Sequence, residues 1–161
     1  MSSTPRDEAA TQRLTSPEKA RRTAARRHDG GNTMSLTVSP ELLEKAEQGP
    51  VEDADFIVCV RESLPYAWNV VSDVAERARS AEAGFETNEV PPPGEAERGQ
   101  LLRLVGSDAM RAAVERHFGM RLAFQNCHRL AMFTPAAEDA HGRFVSPRAQ
   151  LLNQSPELVD C

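Results

Sequence analysis

Arg121-Leu122-Ala123-Phe124-Gln125-Asn126-Cys127-His128-Arg129-Leu130-Ala131-Met132-Phe133 is the stretch whose reading decides the fold. Leu122, Phe124, Asn126, His128, Leu130 and Met132 fall on one phase of a two-residue period. Arg121, Ala123, Gln125, Cys127, Arg129, Ala131 and Phe133 fall on the other. An extended strand turns alternate side chains to opposite faces, so this pattern predicts a strand with one largely apolar face. A hairpin turning at Asn126-Cys127 would set Phe124 opposite Arg129 and Leu122 opposite Ala131, mixing the faces. The expectation is therefore one long strand, bent if need be. A helix through Met120, Phe124, Cys127 and Ala131 is the competing pattern.

Upstream, helical signals dominate. Ser39-Pro40-Glu41 starts a helix: serine caps it, proline suits the first position, and the acid favours the positive end of the dipole. Gly49-Pro50 ends it. A second helix from about Asp53 carries Phe56, Ile57 and Val60 inward, although the FIVCV run (56–60) could also be a buried strand. After Pro65, residues Trp68, Val71, Val74, Ala75 and Ala78 form a stripe at helical spacing that stops by Gly84. Residues 85–94 read as an exposed loop ending in Pro91-Pro92-Pro93-Gly94. Residues 95–105 form a helix, Gly106-Ser107 breaks and recaps the chain, and 108–118 form another that ends at Gly119. Pro135 to Gly142 reads as loop, Phe144-Val145 as a short strand, and Ser146-Pro147 starts a short helix through Leu152. The sum is a predominantly helical α+β domain, about five helices packed on a small sheet built on residues 120–133.

Before Met34 the chain is Arg-rich and nearly free of large apolar residues. Residues 1–33 have net charge +3, 34–97 have −10, 98–129 have +4 and 130–161 have −2. Gly30-Gly31 can be encoded as a ribosome-binding sequence just ahead of Met34. The expectation is that 1–33 is leader and 34–161 the globular domain; the alternative is a disordered basic arm. The acidic front and basic centre either attract each other within the fold or leave the centre facing an anion.

Composition excludes several classes. No apolar run approaches the roughly 18–20 residues that span a bilayer, and no signal-peptide stretch is present, so a cytoplasmic protein off the membrane is expected. Cys59, Cys127 and Cys161 form no C-x-x-C pair. With His117, His128 and His141 they lack zinc-ligand spacing, so no metal is expected. Arginines at scattered helical phases on an acidic domain argue against nucleic acid. Phosphate loops, Ser-His-Asp signatures and H-E-x-x-H are absent, which leans the expectation away from an enzyme.

The run from 34 to 161 resembles an uncharacterised family of small actinobacterial proteins of the Streptomyces type. SLPYAW (63–68), PPP (91–93), RGQLL (98–102), RHFGMRLAFQNCHR (116–129) and QLLNQSPELVDC (150–161) carry the resemblance. It implies a start at Met34 but no activity or cofactor.

Chemistry, if present, is expected at Gln125, Asn126, Cys127 and His128, with Arg121 or Arg129 for an anionic group. In a strand Cys127 and His128 face opposite ways, so Cys127 would need His117 or His141 as a base. Asn126 and His128 either satisfy backbone groups and fix the core, or floor a ligand pocket. The leading expectation is a non-enzymatic binding or regulatory protein with a protein partner or a second copy of itself. The alternative is a small-ligand or enzymatic pocket on Asn126-Cys127-His128.

Overall fold

The computed structural model describes residues 36–126 and 128–154, all within the unit Met34–Cys161. The expectations for the leader 1–33, the start at Met34, and Cys127 and Cys161 lie outside the described residues. The order is α1 (Pro40–Gln48), α2 (Asp53–Ser63), α3 (Pro65–Ser80), β1 (Phe85–Asn88), α4 (Glu95–Gly106), α5 (Asp108–Phe118), β2 (Arg121–Gln125) and β3 (Arg129–Phe133). A 3₁₀ turn (Pro135–Ala137), α6 (Glu138–Phe144) and α7 (Pro147–Leu152) follow. This is the predominantly helical α+β fold, with seven helices among the described residues and a three-stranded antiparallel sheet ordered β1-β3-β2. No helix among them is long and apolar enough to cross a membrane.

Local chemistry accounts for the helix ends. Ser39 Oγ accepts from Leu42 N–H at 3.2 Å and Ser107 Oγ from Met110 N–H at 3.3 Å. Each satisfies a donor that the first helical turn leaves without a partner. Gly119 closes α5 with φ 66°, in the left-handed region that a side chain disfavours. The FIVCV run lies in α2, where Ile57 and Val60 are buried.

Residues 120–133 are not one long strand but a hairpin of Arg121–Gln125 and Arg129–Phe133, with Asn126 and His128 at its turn. The expectation weighed only a turn of even length, which would throw the two faces out of phase. A three-residue turn preserves the phase: Leu122 pairs with Met132, Phe124 with Leu130, and Gln125 with Arg129. Apolar residues of both strands then share one face, and the odd-numbered residues share the other. Asn126 opens the turn at φ 50°, a conformation asparagine reaches more readily than most residues.

Three more readings are corrected. Phe85–Asn88, expected as loop, is β1 and pairs with β3, Phe85 facing Phe133 with rings 5.3 Å apart and nearly parallel. Ring burial, not the weakly strand-like sequence FETN, secures it. Glu138–Phe144, expected as loop and strand, is helix α6. Its acids occupy the first turn and His141 and Arg143 the last, matching the dipole. Val145 is the exposed cap rather than strand.

The sheet separates two apolar clusters. On one face, Leu122, Leu130 and Met132 pack with Val71, Val74, Leu101, Leu104 and Val114 of α3, α4 and α5. Burying each such side chain contributes about 1.5–3 kcal/mol relative to exposure. On the other face Ala123, Ala131, Phe133 and Ala137 pack with Phe85, Ala140 and Phe144. Thus α6 lies on the face that also carries Arg121, Gln125 and Arg129. Arg116–Asp53 and Arg129–Glu89 tie the basic centre to the acidic front.

Candidate functional site

Period two puts Arg121, Gln125 and Arg129 on the α6 side of the hairpin, but at different ends. Gln125 and Arg129 pair at the tip, while Arg121 pairs with Phe133 at the open end. Four residues of strand separate Arg121 from Gln125, about 13 Å.

At the tip, the polar side chains bind one another and the C-terminal segment. Gln125, 3% exposed, donates its Nε2 to the carbonyl of Phe144 at the end of α6. Its Oε1 accepts from Asn153 Nδ2 at 2.7 Å. Arg129 donates to Asn153 Oδ1 and to Glu89. Gln150 of α7 donates to Asn126 Oδ1 at 2.8 Å. His128, 1% exposed, lies 2.6 Å by Nδ1 from the Asn126 carbonyl; a carbonyl only accepts, so that nitrogen carries the proton. Asn126 Nδ2, His128 Nε2 and Arg129 Nε are buried with no hydrogen-bond partner among the described residues. Cys127 lies outside those residues, and so does its expected pairing with a histidine. His117 belongs to a separate aromatic group, 5.3 Å from the Trp68 ring and 4.8 Å from Phe118.

The open end of the hairpin borders a cleft of about 480 Å³ between α5, β2 and α6. Met120, Phe133 and Pro135 supply its apolar lining, and Glu115, Arg116, Arg121, Thr134, Glu138 and His141 its polar lining. Arg121 Nη1 donates to His141 Nδ1 at 3.3 Å. A guanidinium has no acceptor, so Nδ1 presents its lone pair and the neutral ring carries its proton on Nε2. The environment agrees: burial first, then the Arg121 charge, push the His141 pKa below its ordinary value, against the opposing pull of Glu115 and Glu138. The Phe133 ring meets His141 edge-on at 5.2 Å and fixes its plane. Glu115 Oε1 accepts from Leu122 N–H at 2.9 Å, and Arg116 forks onto Asp53 at 2.5 and 2.7 Å.

Of the five described residues among those expected from sequence, only Arg121 lines this cleft. The structure adds His141, Glu115, Glu138 and Thr134 to it. In the sequence His141 stands out only as a distant base for Cys127 and as one of the histidines that lack zinc-ligand spacing. Twenty residues separate it from Arg121, and no local motif announces the pair. Among the described residues, no group of three or more His, Cys, Asp or Glu side chains could hold a metal ion.

Comparison with curated proteins and with solved structures returns no match. A family profile described as NucS shadow ORF matches residues 34–161. That span covers the sheet, the cleft and the hairpin tip, and the description names a reading frame without an activity. The chain belongs to this NucS shadow ORF family.

Proposed function

We propose that the chain is a non-enzymatic binding protein of the actinobacterial cytoplasm, and that the cleft beside Arg121 and His141 receives its ligand. One observation carries the reading. Arg98, Arg111, Arg116 and Arg129 of the basic segment each sit on a carboxylate. Arg121 has none within ion-pair distance among the described residues and donates into the cleft. Arginine far outnumbers lysine, which occurs only as Lys19 and Lys45, and this bias and the resemblance of 34–161 support the bacterial source.

A second reading places a small-ligand pocket at Asn126 and His128, and the three partnerless buried atoms there favour it. Thermal melting of the full chain against a panel of small metabolites, beside Arg121→Gln and His128→Gln, separates the two. A ligand at about a hundred times its Kd stabilises the folded state by about 2.7 kcal/mol. The cleft reading expects that gain to vanish in Arg121→Gln and survive in His128→Gln. The opposite pattern would transfer the site to the hairpin tip.

A further inference from the structure

We infer that Arg121 and His141 together form an anion subsite, built for the carboxylate or phosphate group of a small ligand. This rests on the cleft being the binding site. Arg121 supplies a permanent cation with donors in a planar fork, a geometry that matches two oxygens of a carboxylate or phosphate. His141 receives one Arg121 donor on Nδ1, which leaves its Nε2–H as a second donor of fixed tautomer. The bond also orients the guanidinium, so less side-chain entropy is lost on binding.

The two acids of the cleft do not fill this role. Glu115 holds the Leu122 amide with one oxygen. Glu138 stands solvent-exposed in the first turn of α6, where water screens it. Asp53 already neutralises Arg116, so Arg121 is the cleft's one cation without a carboxylate among the described residues. Met120, Phe133 and Pro135 give the cleft an apolar lining beside the pair, able to take the hydrocarbon part of a ligand whose anionic group meets Arg121. A volume near 480 Å³ is in the range of small-molecule sites.

The test is nuclear magnetic resonance of the isotope-labelled full chain, titrated with inorganic phosphate and then acetate at constant ionic strength set by chloride. The expected result is a saturable shift at Arg121, His141 and the amides of the first α6 turn. Arg121→Gln should weaken it at least about tenfold, the loss of one charge-assisted contact. His141→Gln, which keeps an N–H donor, should weaken it less. The amide spectrum of each variant reports whether it folds, and Arg148→Gln, an exposed arginine of α7 outside the cleft lining, serves as the variant that loses one positive charge and should bind normally. A signal centred on Arg129, an unchanged midpoint in Arg121→Gln, or no saturation by either anion would overturn the anion subsite. Neutral molecules that shift the same cleft residues while both anions do not would overturn the subsite and leave the cleft as the binding site.

Discussion

Replacing Asn153 with alanine tests whether the C-terminal segment is latched to the hairpin tip. Asn153 gives its amide N–H to Gln125 Oε1 at 2.7 Å and accepts from Arg129. Without it Arg129 keeps Glu89, but Gln125 Oε1 stays on a side chain only 3% exposed and loses its donor. Leaving a buried acceptor without a partner costs about 1–3 kcal/mol, more than the net gain from making the bond. The worked expectation is therefore a loss of about 1–3 kcal/mol in Asn153→Ala. Gln125→Leu removes the needy acceptor but also the donor to Phe144 O, so it has a cost of its own. In the double variant nothing is left waiting for Asn153, and the two losses should fall short of additive by roughly 0.5–3 kcal/mol. Urea denaturation of the four proteins, followed by far-UV circular dichroism, gives the cycle. Strict additivity, or an Asn153→Ala within about 0.5 kcal/mol of the parent, would refute the latch.

Four further outcomes follow from the same structure. Phe133→Ala, at a ring 1% exposed between Phe85, Phe144 and His141, should cost about 3–5 kcal/mol in the same denaturation assay. Gly119→Ala meets open space at φ 66° and should cost about 1–2 kcal/mol. Gly84→Ala shares the backbone penalty at φ 68°, but its Cβ would lie 2.6 Å from Thr134 Oγ1, so it should lower the melting temperature further than Gly119→Ala. His141, facing Arg121, Glu115 and Glu138, holds a proton less tightly folded than unfolded. Its contribution is complete above the ordinary value of 6.5 and declines as pH falls through it toward the lower folded value. Stability measured from pH 7.5 to 5 should fall less steeply in His141→Gln than in the parent.

Helix ends were legible because their signals are local. Ser39, Ser107 and Gly119 each act on a backbone group within four residues, and the structure places all three as caps. The alternation in 121–133 was legible as well, and it picks out the apolar face that meets α3, α4 and α5. What it could not decide was one residue of turn length, which sets whether two strands stay in phase. β1 was hidden because FETN carries a single large apolar residue, and its stability comes from Phe133, far along the chain. α6 was hidden by Gly142 in its interior and by its short length. The candidate site was partly legible for the same reason. Period two correctly grouped Arg121, Gln125 and Arg129 on one face, but only the path of α6 brings His141 to Arg121 and Phe144 O to Gln125.

The hairpin divides its polar residues between the closed latch at the tip and the proposed binding site at Arg121 and His141. Crystals of the full chain soaked with hits from the metabolite panel test it most directly. Ligand density is expected between α5 and α6, against the Arg121 guanidinium and His141 Nε2, with the Asn153–Gln125 contact intact. Density against Asn126 and His128, with the C-terminal segment displaced, would contradict it.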